Sequence, residues 1–174
     1  EETLLRRHIF DALAGLPVLG TAGPPTAADV GSGCGIPGIP LAVFWTNTKM
    51  TLIERSAKRA SFLSYATAVC GLSSRVFVEN RDLKEIKTQF DCTVFRAFRP
   101  FTEFIIPLLS VTKPGGTLAA FKAKEASALE ETACLDKKNT AVRVEILQNP
   151  FYDAPRCLAV IQKAPTSSST QFFQ

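Results

Sequence analysis

The chain has 174 residues, 46% of them hydrophobic, enough for one domain with a sizeable core. Its net charge of +4 permits a polyanionic partner without demanding one. No apolar run reaches the roughly 18 residues needed to span a membrane and no signal-peptide pattern opens the chain, so a soluble, cytoplasmic protein is expected.

Cys34, Cys70, Cys92, Cys134 and Cys157 are an odd number, widely spaced and without a CxxC pair. Buried free thiols in a reducing compartment explain them better than disulfides or a metal, and His8 is the only histidine.

Leu4, Leu5, Ile9 and Leu13 have helical spacing, and Glu1-Glu2 lie inside that pattern rather than at a cap, so further residues are expected upstream. His8 and Asp11 share one face of this helix, where a local surface pair is the simplest expectation. Gly15 to Pro25 is rich in breakers and reads as a connection.

Ala27, Ala28 and Val30 end a buried strand, and Gly31, Gly33, Gly35 and Gly38 crowd the turn that follows. Gly33-x-Gly35-x-x-Gly38 matches the dinucleotide fingerprint, whose strand delivers a pyrophosphate onto a helix N-terminus. Asp29 stands two residues ahead of the first glycine, however, and a carboxylate there repels a pyrophosphate. It suits a ligand that carries a sulfonium and an amino group. Asp29-x-Gly31-x-Gly33-x-Gly35 resembles the arrangement of Rossmann-like S-adenosylmethionine-dependent methyltransferases.

A helix is expected over 39–45, then a short buried strand, Met50–Ile53, ending in Glu54. An acid about 20 residues past the glycines, at a strand's carboxyl end, is placed to accept both ribose hydroxyls; the alternative is a solvated acid facing Lys58. Ser56 to Val69 is an amphipathic helix closed by Gly71. Val76–Val78 is a third strand, and the turn Asn80-Arg81-Asp82-Leu83 lies where a doubly wound sheet gathers its ligand. There Asp82 accepts from an adenine amine while Leu83 packs on the ring, or Asp82 merely caps the loop.

Phe90–Phe95 is the fourth strand, followed by Arg96-Ala97-Phe98-Arg99, where arginines interleaved with an aromatic suit a nucleobase and its phosphates. Arg96 is weighed as functional, Arg99 as a bare candidate. An apolar helix over 100–111 contains Pro107, Lys113–Gly116 makes a tight turn, and Thr117–Phe121 is a fifth strand ending in Lys122. A helix over 124–135, a half-exposed strand Val142–Ile146 and a last strand Cys157–Ile161, antiparallel to it, complete the pattern. The whole reads as a doubly wound, mostly parallel α/β domain with a C-terminal antiparallel hairpin.

Arg7–Asp11, Asp29–Leu41, Lys58–Leu63, Phe90-Asp91 followed by Arg96-Ala97, and Lys113-Pro-Gly-Gly with Lys122 together resemble the glucose-inhibited division protein B family, the small-subunit ribosomal RNA methyltransferase G enzymes. The resemblance implies a 26–163 methyltransferase domain, with 1–25 as the remnant of an N-terminal helical region and 164–174 as a tail. It implies methyl transfer from S-adenosylmethionine to N7 of a guanine in small-subunit ribosomal RNA, naked or in a particle, by a monomer. On the family pattern Gly31 and Ile36 line the cofactor, Asp82 and Leu83 flank its adenosine, and Arg96 sits at the junction of cofactor and substrate. Arg81, Lys122 and Arg156 match basic residues that contact RNA or shape the transfer pocket, and His8 matches a family histidine. Ala12 replaces the usual Ser and Ala123 the usual Gly, which bears on the backbone around Lys122.

Guanine N7 carries an exposed lone pair and no proton, so in-line attack needs orientation rather than a general base. Arg96 and Lys122 therefore suit the methionine carboxylate, guanine O6 or phosphates, and Asp29 and Glu54 suit the cofactor. Asn149-Pro-Phe-Tyr152 looks like an amino-methyltransferase tetrapeptide but follows the wrong strand, and no Pro-Cys offers a nucleophile for C5 methylation. A dinucleotide-dependent dehydrogenase on the same glycines and a non-catalytic RNA-binding module are the competing expectations.

Overall fold

The computed structural model describes residues 8–96, 101–148 and 156–165. Two helical turns, α1 (Phe10–Leu13) and α2 (Leu16–Leu19), precede β1 (Thr26–Val30). There follow α3 (Gly38–Phe44), β2 (Lys49–Ile53), α4 (Ala57–Val69), β3 (Val76–Glu79), a 3-10 turn Leu83–Glu85 and β4 (Phe90–Arg96). Then come α5 (Phe101–Ser110), β5 (Thr112–Lys122), α6 (Glu125–Thr132), β6 (Thr140–Leu147) and β7 (Arg156–Lys163). One seven-stranded sheet has the order β3-β2-β1-β4-β5-β7-β6, parallel from β3 to β5 and antiparallel at β7 and β6.

Alternation along the central strands builds two cores. Val94, Ala119 and Leu158 face one side with Leu41, Trp45, Met50, Leu52 and Leu63, while Phe95, Leu118, Ala159 and Ile161 face the other with Ile105 and Leu108. Covering both faces is what lets parallel strands be apolar throughout. Gly71, in the left-handed region at φ 67°, closes α4 as expected.

Several expectations are corrected. Lys113–Gly116 is not a separate turn: it lies inside β5 as an irregularity, the register against β4 jumping from Phe90–Thr112 to Cys92–Thr117. Asp91 anchors the bulge, with Oδ1 on Lys113 Nζ at 2.9 Å and Oδ2 accepting from the backbone N–H and hydroxyl of Thr26. The breaker-rich connection contains α2, because Leu16 joins the core. Only Cys92 and Cys157 are buried; Cys34, Cys70 and Cys134 are exposed. Asp11 is no surface residue but 3% exposed. Residues 97–99, the 149–152 tetrapeptide and the tail beyond 165 lie outside the described residues.

Candidate cofactor and nucleobase site

The carboxyl ends of the parallel strands converge on the turn made by Gly31, Gly33, Gly35 and Ile36 between β1 and α3. Its first two amides, those of Gly31 and Ser32, both donate to the Ile53 carbonyl, at 2.9 and 3.1 Å, so the turn hangs from the end of β2. At Gly33, φ is +57° and an added Cβ would meet only the Gly31 carbonyl, at 3.7 Å, so that side of the turn is open. Gly38 is different: an added Cβ would lie 2.5 Å from Leu52 Cδ2 and 2.6 Å from Asp29 Oδ2. It is a glycine because the acid occupies the space.

Asp29 is 1% exposed, and its Oδ2 accepts the Gly38 N–H at 2.9 Å. Its Oδ1 is buried without a hydrogen-bond partner among the described residues. Burial raises the Asp29 carboxyl to about 7, the nearby Glu54 charge adding to the rise and the Gly38 amide opposing it. An orphaned buried acceptor under a glycine turn fits a cationic ligand group and does not fit a pyrophosphate.

Glu54 is 3% exposed and is not the solvated acid facing Lys58. Its Oε2 accepts the Gly33 amide at 3.0 Å and its Oε1 the Ser56 amide at 2.9 Å, so it ties the glycine turn to the start of α4. Asn80 extends the tie, its Nδ2 donating to the Glu54 and Arg55 carbonyls. Asp82 takes the capping position, Oδ1 accepting from Lys84 N at 3.1 Å, and Leu83 packs into the core. Arg81 is exposed, with Nε 3.5 Å from Glu79 Oε2.

Further along the same edge, Arg96 ends β4, Lys122 ends β5 and Arg156 opens β7. Lys122 is 8% exposed and its ammonium is bonded to Glu131 of α6. Arg96 and Arg156 both face Asp11 of α1, at 3.6 and 3.4 Å, with His8 one turn earlier. The acids and glycines expected at the cofactor turn are therefore brought together, as are Arg96, Arg156 and His8 around Asp11. Arg81 stands apart at the β3 end.

Sequence reasoning placed Asp11 only as a surface partner of His8 and Asn80 only within its turn, and gave the exposed cations Arg55, Lys58 and Arg59 no role. Charge density marks the last group: residues 55–87 hold seven Lys/Arg against three Asp/Glu, a surplus equal to the chain's whole net charge. Lys58 and Arg59 also sit in the first turn of α4, where the helix dipole disfavours cations.

The strand order, with an antiparallel β7 inserted between β5 and β6, and the acid-glycine turn at the head of β1 define a Rossmann-like S-adenosylmethionine-dependent methyltransferase fold. Solved structures agree on the fold. A methyltransferase of this class from Aquifex aeolicus is similar at TM-score 0.69 and 20% identity, covering 93% of each chain. An rRNA methylase from Streptococcus thermophilus is similar at TM-score 0.61 and 18% identity, covering 89% of this chain and 93% of that one. Residues 1–159 match the GidB family, rRNA small subunit methyltransferase G, and the chain belongs to it. Enzymes of that name from Borrelia turicatae and Treponema denticola are 38% and 35% identical, over 67% and 82% of this chain. The chain spans 56% and 59% of those relatives' lengths.

Proposed function

We propose that this chain carries the transfer of a methyl group from S-adenosylmethionine to N7 of a guanine in small-subunit ribosomal RNA, in the cytoplasm. The observation that carries the cofactor assignment is the buried, unpartnered Asp29 Oδ1 beneath an open glycine turn. Membership of the GidB family and the names of the Borrelia and Treponema relatives support the RNA substrate. No helix among the described residues is long and apolar enough to cross a membrane.

S-adenosylmethionine supplies an electrophilic methyl group on a sulfonium. Asp29 offers its unpartnered oxygen to the ligand's positive end, and Gly33 leaves room for close approach of the backbone. Glu54 keeps the turn in place through Gly33 and retains lone pairs for the ribose hydroxyls. Asp82 and Leu83 border the adenine side. N7 attacks with its own lone pair, so no residue need take a proton; orientation at near-attack distance supplies much of the rate. Arg96, Arg156, Lys122 and His8 at the β4–β5–β7 end suit guanine O6 and phosphates. Arg55, Lys58 and Arg59, at and just before the first turn of α4, form an exposed basic rim fit for the RNA backbone, with Arg81 a separate basic contact at the β3 end.

Two measurements test the proposal. Titration calorimetry should show S-adenosylhomocysteine binding that is lost in Asp29→Ala and Glu54→Ala variants that remain folded. Incubation of the protein with small-subunit particles and labelled S-adenosylmethionine should place label in 7-methylguanosine. Binding of a nicotinamide dinucleotide in place of S-adenosylhomocysteine, or RNA binding with no cofactor affinity, would sink the proposal.

A further inference from the structure

We propose that Asp11 is a positioning residue that restrains Arg96 and Arg156 so that neither guanidinium engages the N7 lone pair of the acceptor guanine; the inference rests on the function proposed above. Asp11 lies on a four-residue helix ahead of the glycine turn, yet it is 3% exposed. Its Oδ2 is 3.6 Å from Arg96 Nη2 and its Oδ1 is 3.4 Å from Arg156 Nε. The two arginines come from β4 and β7, which are not neighbours: β5 runs between them and ends there in Lys122. One buried carboxylate therefore bridges the carboxyl edge of the sheet across an intervening strand.

Stability alone is a weak reason for this arrangement. A buried carboxylate between two guanidiniums bears a desolvation penalty that an apolar contact would avoid. Burial raises the Asp11 carboxyl, and Arg96, Arg156 and His8 only partly pull it back.

The reaction supplies a reason. An arginine that meets a guanine by its most favourable geometry donates to O6 and N7 together. For a reader of guanine that contact is useful; for an N7 methyltransferase it ties up the attacking lone pair. The contacts are ion pairs rather than hydrogen bonds, Asp11 Oδ1 having no hydrogen-bond partner among the described residues, but a guanidinium drawn to a fixed, buried carboxylate at 3.4–3.6 Å is still biased away from that fork and kept for O6 or a phosphate. Asp11 touches neither the cofactor turn nor any reacting atom in this scheme; it acts through the two arginines.

The test is Asp11→Asn in the full chain, a change that keeps the shape and removes the charge. Hydrogen exchange of the Arg156 Nε–H and rotation about the Arg96 Cζ–Nη bonds, both read by NMR, should each quicken at least ten-fold. S-adenosylhomocysteine affinity should stay within two-fold. Methyl transfer to small-subunit particles should lose at least thirty-fold in kcat, with KM for the RNA unchanged or lower, because the released arginines bind guanine in an unproductive way. A kcat within three-fold of the native value, or a rise in KM alone, overturns the inference. Should Asp11→Asn fold poorly, Asp11→Ser replaces it, again removing the charge while keeping both arginines; the same fall in kcat is expected, and a kcat within three-fold overturns the inference again. Unchanged Nε–H exchange in the variant refutes the restraint itself. A native chain that methylates no small-subunit RNA while Asp11 still governs that exchange refutes the proposed function instead.

Discussion

Asp29 and Gly38 are locked together: the carboxylate accepts the glycine amide at 2.9 Å and fills the space where a side chain at 38 would stand. The contact joins the end of β1 to the start of α3 beneath the cofactor turn, and leaves the second oxygen of Asp29 buried and unpartnered. The acid of the motif thus shapes the turn.

The protonation of Asp29 should be visible in stability. Its carboxyl is raised from 3.8 to about 7 by burial. Between those values the folded protein holds a proton that the unfolded chain has released, so this group's contribution is greatest below about pH 4 and is lost as pH rises through about 7. The loss is at most about 4 kcal/mol at roughly 1.4 kcal/mol per unit. Urea unfolding at pH 5 and pH 8 should show Asp29→Asn gaining on the native protein by about 2–3 kcal/mol over that interval.

Ligand binding should reverse the same equilibrium. A sulfonium and an ammonium beside Asp29 favour its carboxylate, so S-adenosylmethionine binding near pH 6 should expel up to about one proton, and none above about pH 8. Calorimetry in two buffers of different ionisation enthalpy measures this directly. Equal apparent enthalpies at pH 6 would contradict it.

Gly33→Ala and Gly38→Ala should fail for different reasons. At position 38 the methyl meets Leu52 and Asp29 inside the core, and a destabilisation of about 2–3 kcal/mol is expected. At position 33 there is room, and the left-handed φ alone costs about 1–2 kcal/mol. Gly33→Ala should therefore remain folded in a thermal melt while losing affinity for S-adenosylhomocysteine at least ten-fold, since its methyl occupies the ligand's side of the turn.

Glu54→Gln should reveal which half of the carboxylate's work matters. An amide in its place must turn an NH2 toward either the Gly33 or the Ser56 N–H, leaving a buried donor unmatched at a cost of about 1–3 kcal/mol. Melting temperature and S-adenosylhomocysteine affinity should fall together. A variant with full affinity would mean that the turn holds its shape without Glu54.

The basic rim should act on RNA and not on cofactor. Replacing Arg55 and Lys58 together by Ala should weaken binding to small-subunit RNA and lower the slope of log K against log salt by about one for every phosphate that the variant no longer neutralises; Arg59 is left in place because its guanidinium lies 3.8 Å from Glu54 Oε2. Affinity for S-adenosylhomocysteine should be unchanged within about two-fold. An unaltered salt slope would remove these residues from the interface.

Local chemistry made much of this protein legible in its sequence. Short apolar or alternating runs of three to six residues marked the strands, four close glycines marked the turn, and one acid at the end of β1 and another just past β2 marked the ends of the strands beside it, because each signal lies within a few residues of what it specifies. The tertiary structure decided what depends on distant neighbours. Whether Asp11 is solvated or buried rests on Arg96 and Arg156, which are remote in the chain and brought to it only when β4 and β7 flank β5. Whether Lys113–Gly116 turns the chain or bulges inside a strand rests on Asp91 of β4, which holds Lys113. Spacing set the positions of Asp29 and Glu54, but their hydrogen bonds to Gly38, Gly33 and Ser56 required the sheet to bring three loop ends to one place. Periodicity reports which face a residue occupies; only the packed fold determines what covers that face.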